Sequence, residues 1–200
     1  VVYVRWTQFG VFTSHIRYHG TSKREPWHYP TVAPIVKQWW KLRYRLIPYI
    51  VEQSRQACAS GWPIIQALLM RHPDDRQVWN IDDEYYFGSE FLVCPVMNSE
   101  GRRDIYLPKP PKASPSPSKG GDVESHDSID STWVNLFTGE RLEGGRWYYG
   151  VEVPLEQMPV FVHEGARIPF YPDDVESTDE MDLNRAVTLE ITPTFHGLTV

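Results

Sequence analysis

Arg17-Tyr18-His19-Gly20, continued by Lys23-Arg24-Glu25-Pro26-Trp27, is the densest cluster of chemistry-bearing side chains in the sequence. It joins cationic groups, an imidazole and aromatic rings to a glycine at the end of an alternating stretch, where a loop can line a pocket. Trp27, Tyr18 and Trp6 would offer flat apolar faces that suit stacking on sugar rings. Tryptophan and tyrosine also build ordinary core, and pattern alone leaves the two readings level. His15 and His19 could share a face and hold a metal, but no third ligand lies nearby in sequence, so no metal site is assigned. His163-Glu164 opens like a zinc-protease helix, yet Arg167 stands where the second histidine belongs. Asp74-Asp75 and Asp82-Asp83-Glu84 supply the paired carboxylates that acid–base chemistry needs. Their place after Pro73 and before short turns favours helix caps and solvated turns instead. There is no glycine-rich phosphate loop and no Gly-x-Ser-x-Gly elbow.

The elements that must position these residues divide the chain in two. Val2–Phe12 has helical spacing, Ser14–Gly20 alternates like a short strand feeding a loop, and Thr21–Pro34 is proline-rich loop. From Ala33 to Ser60 a long helix is expected. Ile35, Trp39, Leu42, Leu46 and Tyr49 share one face, widened by Val36, Trp40, Ile47 and Ile50. Pro34 suits its first position, Gly61 its end, and Pro48 predicts a kink. Beyond Gly61 the spacing predicts short strands over Ile64–Met70, Phe91–Met97, Asp104–Leu107, Trp133–Phe137, Trp147–Val153, Pro159–His163, Arg167–Phe170 and Val187–Ile191. Pro95 marks a sheet edge or bulge, and Asp82–Phe87 a short helix or turn. This half reads as a β-sandwich. Pro108–Ser131, rich in proline, serine and glycine and then acidic, is expected to be a disordered surface loop.

Composition bounds the partners. With 41% hydrophobic, 14% aromatic and 23% charged residues, the 200-residue chain is a folded soluble type. A net charge of −6 argues against nucleic acid, which selects a basic face. No apolar run reaches the ~18 residues that a membrane helix needs. Cys58 and Cys94 sit in apolar contexts typical of buried free thiols, and two unpaired cysteines lean toward a cytoplasmic protein. The chain starts at Val1 without a methionine and stops at Val200 within an apolar alternation, which reads as a piece of something longer.

Several separate motifs resemble glycoside hydrolase family 31. They are Arg5-Trp6-Thr7-Gln8-Phe9-Gly10-Val11-Phe12, Ser14-His15-Ile16-Arg17-Tyr18-His19-Gly20, Arg24-Glu25-Pro26-Trp27 and Leu42-Arg43-Tyr44-Arg45-Leu46-Ile47-Pro48-Tyr49. Gly61-Trp62-Pro63, Met70-Arg71-His72-Pro73-Asp74-Asp75 and Tyr85-Tyr86-Phe87-Gly88-Ser89-Glu90 running to Val96 follow, then Tyr106-Leu107-Pro108, Trp133 with Thr138-Gly139-Glu140, and Pro159 to Pro169. The His-Gly pair and the Pro-Trp that follows look most like the α-xylosidase branch; the α-glucosidase branch more often carries His-Asn there.

The resemblance implies an α+β chain: the last elements of a (β/α)8 TIM barrel, then an antiparallel β-sandwich. Residues 1–61 would end the barrel, 62–165 would form a proximal sandwich with the insertion 108–131, and 166–200 would begin a distal sandwich. The implied activity is retaining hydrolysis of terminal α-xylosyl or α-glucosyl linkages, without metal or cofactor. The partners would be a carbohydrate substrate and the rest of the barrel. His19 takes the family's sugar-contacting histidine role, with Arg17 bracing it and Arg24 and Trp27 on the rim. No stretch matches either catalytic aspartate motif, so both are expected upstream and the chain alone should be inactive. The alternative is a non-catalytic β-sandwich module that binds carbohydrate through Trp133, Trp147, Tyr148 and Tyr149, or packs against another domain; a degenerate gene is a third possibility. Barrel helices without their neighbours should leave Trp39 and Trp40 uncovered and the chain poorly soluble.

Overall fold

The computed structural model describes residues 1–109 and 131–199, so nearly all of the expected disordered insertion 108–131 lies outside the described residues. Three helices come first: α1 (Val2–Val11), α2 (Ala33–Arg45) and α3 (Ile47–Ser60). The long helix expected over Ala33–Ser60 is thus two, broken at Leu46, just before Pro48. Pro48 has no N–H for the Tyr44 carbonyl and its ring would collide with it. The chain answers by tightening the last turn of α2. The Leu46 N–H is shared between the carbonyls of Leu42 and Arg43 at 3.0 and 3.2 Å, and Pro48 falls in the first turn of α3, where it is tolerated. Gly61 closes α3 at φ 78°, its N–H bonded to the Ala57 carbonyl.

The second half is antiparallel sheet. β1 (Ile65–Ala67), β2 (Tyr85–Phe87), β3 (Phe91–Val93), β8 (Val160–His163), β5 (Thr132–Asn135) and β6 (Arg141–Glu143) line up in that order as one six-stranded sheet. β4 (Arg102–Leu107) and β7 (Arg146–Glu152) form a separate ribbon, and β9 (Arg167–Phe170) pairs with β10 (Val187–Glu190). Three expectations are corrected here. Asp82–Phe87 contains a strand, because Tyr85–Phe87 finds partners on both sides. Ile64–Met70 is strand only to Ala67 and then turns into the single-turn helix α4 (Leu68–Arg71). Pro95 marks no edge: β3 ends before it and lies between β2 and β8.

Alternation along the strands gives the large sheet two apolar faces. Phe87, Phe91, Val93, Val134, Val160 and Val162 pack with Val11, Phe12, Trp39, Leu42, Leu46 and Tyr49 from the helices. Tyr86, Leu92, Cys94, Trp133 and Phe161 pack with Ile105, Tyr106 and Leu107 of the ribbon. Trp39, expected to be uncovered, is 1% exposed, edge-on to Phe12 and Phe137. Trp40 is half-buried. The sheet thus supplies the cover that the expectation left out. Cys94 is buried, but Cys58, expected to be buried, is exposed on α3. Among the described residues no helix is long and apolar enough to cross a membrane.

Candidate functional site

Leaving α1, the chain runs along its side through Thr13–Gly20. His15–Gly20, expected to be a strand, is irregular: no described strand pairs with it. Side chains hold it instead. From α2, the Arg43 guanidinium donates to the carbonyls of Val11 at 2.7 Å, of Ser14 at 3.1 Å, and of Thr13. Burial pulls this guanidinium down to about 10, which leaves it cationic at neutral pH. The Thr13 hydroxyl lies 2.7 Å from both the Gly10 and His15 carbonyls.

Tyr18 is the second anchor. Its hydroxyl lies 2.6 Å from Thr7 Oγ1 of α1 and accepts from Trp40 Nε1 of α2 at 2.9 Å. Its ring stacks on Tyr3 with centroids 5.4 Å apart, and Tyr3 leans on Tyr29 at 4.7 Å. Burial raises both the Tyr3 and Tyr18 phenols, Tyr3 to about 12, so both stay neutral. The Tyr3 hydroxyl donates to the Arg24 carbonyl, joining the far side of the loop to the same scaffold. With Tyr18 turned inward, its neighbours Arg17 and His19 are exposed.

These contacts frame an open cleft of about 1030 Å³, lined among others by Trp6, Thr13, Arg17, His19, Arg24 and Tyr29. Gly20 also lines it. A Cβ there would sit 2.8 Å from Arg24 Cγ, so glycine lets the Arg24 side chain lie across the loop. Three of the four expected site residues therefore share one cleft. Trp27 does not line it; it follows buried Pro26 in a short 3-10 turn, with its ring 68% exposed to solvent. Tyr18, for which the sequence left a sugar-stacking face and a core role level, spends its ring and hydroxyl on the scaffold. Arg43, Tyr3 and Tyr29 carried no assigned role in the sequence, and Trp40 was expected only on the apolar face of the helix. Their function is contact across elements, which no local spacing encodes.

The acidic clusters stay out of the cleft. Asp75 caps the 3-10 turn Arg76–Asn80 through the Gln77 N–H and accepts from Tyr106 Oη at 2.5 Å. Glu84 is not a solvated turn residue. It is 3% exposed, and its Oε1 accepts from Arg103 Nη2 at 3.0 Å and from the Tyr106 N–H at 2.9 Å. Burial pushes its carboxyl up to about 7 against the pull of Arg103. A raised carboxyl can mark an acid catalyst, but this one faces a packed interior.

Residues 1–53 match the glycosyl hydrolases family 31 TIM-barrel domain, and residues 61–112 match the glycosyl hydrolase family 31 C-terminal domain. The chain is 32% identical to an α-xylosidase of Saccharolobus solfataricus, over 90% of this chain and 22% of that protein. It is also 32% identical to α-glucosidase 2 of Bacillus thermoamyloliquefaciens, over 92% of this chain and 21% of that protein. The fold superposes on a family 31 dextranase of Flavobacterium johnsoniae, solved with isomaltotriose, with a TM-score of 0.72 and 32% identity, over 90% of this chain and 20% of that one. The chain spans about a fifth of the length of these relatives. With residues 1–53 and 61–112 together matching two domains of one enzyme family over more than half of its length, the chain belongs to glycoside hydrolase family 31.

Proposed function

We propose that this chain is part of a retaining α-glycosidase that removes terminal α-xylosyl or α-glucosyl units. In this reading residues 1–61 are the last elements of the (β/α)8 barrel. Residues 62–165, with the insertion 108–131, are a proximal β-sandwich, and 166–200 begin a distal one. The observation that carries the reading is the cleft in which His19 stands with Arg17 and Arg24 on a braced loop. Active sites of such barrels open at the C-terminal ends of the strands, where loops of this kind gather.

The reaction is a double displacement. One carboxylate attacks the anomeric carbon to give a glycosyl-enzyme. A second carboxyl, about 5 Å away, protonates the leaving oxygen and then activates water, so neither metal nor cofactor takes part. Both aspartates would come from the part of the barrel that this chain does not span. His19 hydrogen-bonds the hydroxyls of the sugar being cleaved, Arg17 and Arg24 hold the wall around it, and Trp27 contributes only at the outer rim. The apolar side of α1, where Trp6 is 67% exposed, packs against the rest of the barrel.

The test is hydrolysis of p-nitrophenyl α-xyloside and α-glucoside by the protein that carries this chain. His19→Ala is expected to lower kcat/KM about tenfold to a hundredfold, the contribution of one or two strengthened hydrogen bonds. Hydrolysis of neither substrate, or an unchanged kcat/KM in the variant, would overturn the assignment.

A further inference from the structure

The outer face of the β4–β7 ribbon carries an aromatic arrangement that the glycosidase reading does not use. Tyr148 and Val151 line the space between the ribbon and the large sheet. The residues flanking Tyr148, Trp147 and Tyr149, therefore lie on the other side of the ribbon, Trp147 half-buried against the core edge and Tyr149 open to solvent. Their rings are nearly parallel, 15° apart, with centroids 6.0 Å from each other. Tyr149 is 73% exposed.

Both rings are held before any ligand arrives. Trp147 Nε1 donates to Gln77 Oε1 at 3.0 Å, and its ring rests against Tyr106 at 5.2 Å. Tyr149 stands beside a bulge: the register shifts between Arg103 and Ile105, Gly150 adopts φ 62°, and its N–H is taken by Asp104 Oδ1 at 2.7 Å. Bulges re-aim side chains, and this one fixes where Tyr149 projects.

The charges around the rings select a neutral partner. Arg102 stands directly across the ribbon from Glu152, while Arg146, 3.3 Å from Glu143 Oε2, lies on the Tyr148 side with its guanidinium over that ring and adds no free charge beside the platform. Asp104 is occupied by Gly150. No single sign dominates, which disfavours an anionic polymer. A ligand offering flat C–H faces to the rings and hydroxyls to the polar groups beside them matches this surface. Of the four aromatics that a sandwich module could use, Trp133 is fully buried and Tyr148 faces inward, so two remain.

We propose that Trp147 and Tyr149 form a platform that binds a linear neutral oligosaccharide. No residue of the platform lines the cleft at His19. The class of ligand rests on the glycosidase reading; the platform geometry does not.

The test uses the protein that carries this chain, with maltotetraose and isomaltotriose as probes, followed by calorimetry and tryptophan fluorescence. Tyr149→Ala is expected to weaken oligosaccharide binding about tenfold, as loss of one stacked ring should. Tyr149→Phe should bind normally, and Trp147→Ala/Tyr149→Ala should abolish the platform component. Hydrolysis of p-nitrophenyl glycosides, which are too short to span both places, should be unchanged in all three. Normal oligosaccharide affinity in the double variant would overturn the platform even if the enzyme is active. Lost affinity in an inactive protein would uphold the platform and reject the glycosidase. Self-association in sedimentation that disappears in the double variant, with no sugar binding in the parent, would assign the face to a second copy of the chain and overturn the proposal.

Discussion

Arg43→Met removes the guanidinium that ties the cleft loop to α2 while keeping most of its apolar stem. The parent side chain holds the carbonyls of Val11, Thr13 and Ser14. Hydrogen bonds from a charged donor contribute ~1.5–3 kcal/mol each. The Ser14 bond is open to solvent and counts for little, so the two inner bonds set the scale at about 3 kcal/mol. The first assay is urea unfolding followed by tryptophan fluorescence, where this loss appears as a lower midpoint at unchanged slope. The second is native-state amide exchange, where the amides of residues 13–18 should exchange faster than those of the large sheet. Arg43→Lys places a point charge that reaches only one carbonyl well and should recover about half of the loss. If Arg43→Met falls within about 0.5 kcal/mol of the parent, the loop is held by something else and the clamp argument fails.

Gly88→Ala should destabilise by ~3 kcal/mol or more: φ is 62°, and a new Cβ would run into Tyr49 Oη and sit 2.7 Å from Gln53 Cγ. Tyr49→Phe should cost ~2 kcal/mol through the lost bonds to the Phe87 carbonyl and the Glu90 N–H. The double variant should lose less than the sum, because the hydroxyl that collides is gone; strict additivity in the cycle would refute this. His163, packed 3.7 Å from Trp133, is pulled by burial from 6.5 down to about 4. The unfolded chain takes up this proton first as pH falls, so about 3 kcal/mol of stability present above pH 6.5 is lost between 6.5 and 4. His163→Gln should flatten that part of a stability–pH curve. A thiol reagent should label exposed Cys58 in the native protein and reach Cys94 only after unfolding, since Cys94 is buried and its thiol is pushed well up; equal labelling rates would count against the packing.

What could be read in advance followed from periodicity. The stripe Trp39, Leu42, Leu46, Tyr49 is core because 3.6-residue spacing forces those positions onto one side. Arg102–Leu107, Val160–His163 and Arg167–Phe170 lie within a few residues of their expected places. Failures came where the outcome depends on a neighbour distant in sequence. Tyr85–Phe87 is too short to announce itself and becomes strand only through Ile65–Ala67 and Phe91–Val93. Ser14–Gly20 has a strand's alternation but no described partner. In the site, residue types singled out His19, Arg17 and Arg24, whereas the brace beneath them, Tyr3, Tyr18, Trp40 and Arg43, joins three segments and has no local signature. The place of Trp27 outside the cleft lining has the same kind of origin: the turn at Pro26 decides where its ring points.

The apolar cluster under the large sheet joins Val11 and Phe12 near one end of the chain to Ile168 and Ile191 near the other. That has a consequence for biosynthesis. The helices precede the strands in synthesis, and Phe87, Phe91 and Val93 follow soon after them. Val160 and Val162, which complete the cover of this cluster, come more than a hundred residues after Trp39 and Leu46. At cellular elongation rates that interval is on the order of ten seconds. During it the stripe on α2 is incompletely covered and open to whatever else is being made. Slower elongation, or a chaperone that holds amphipathic helices, should therefore raise the yield of folded protein, and the benefit should track the delay before Val160 and Val162 appear rather than the stability of the finished fold.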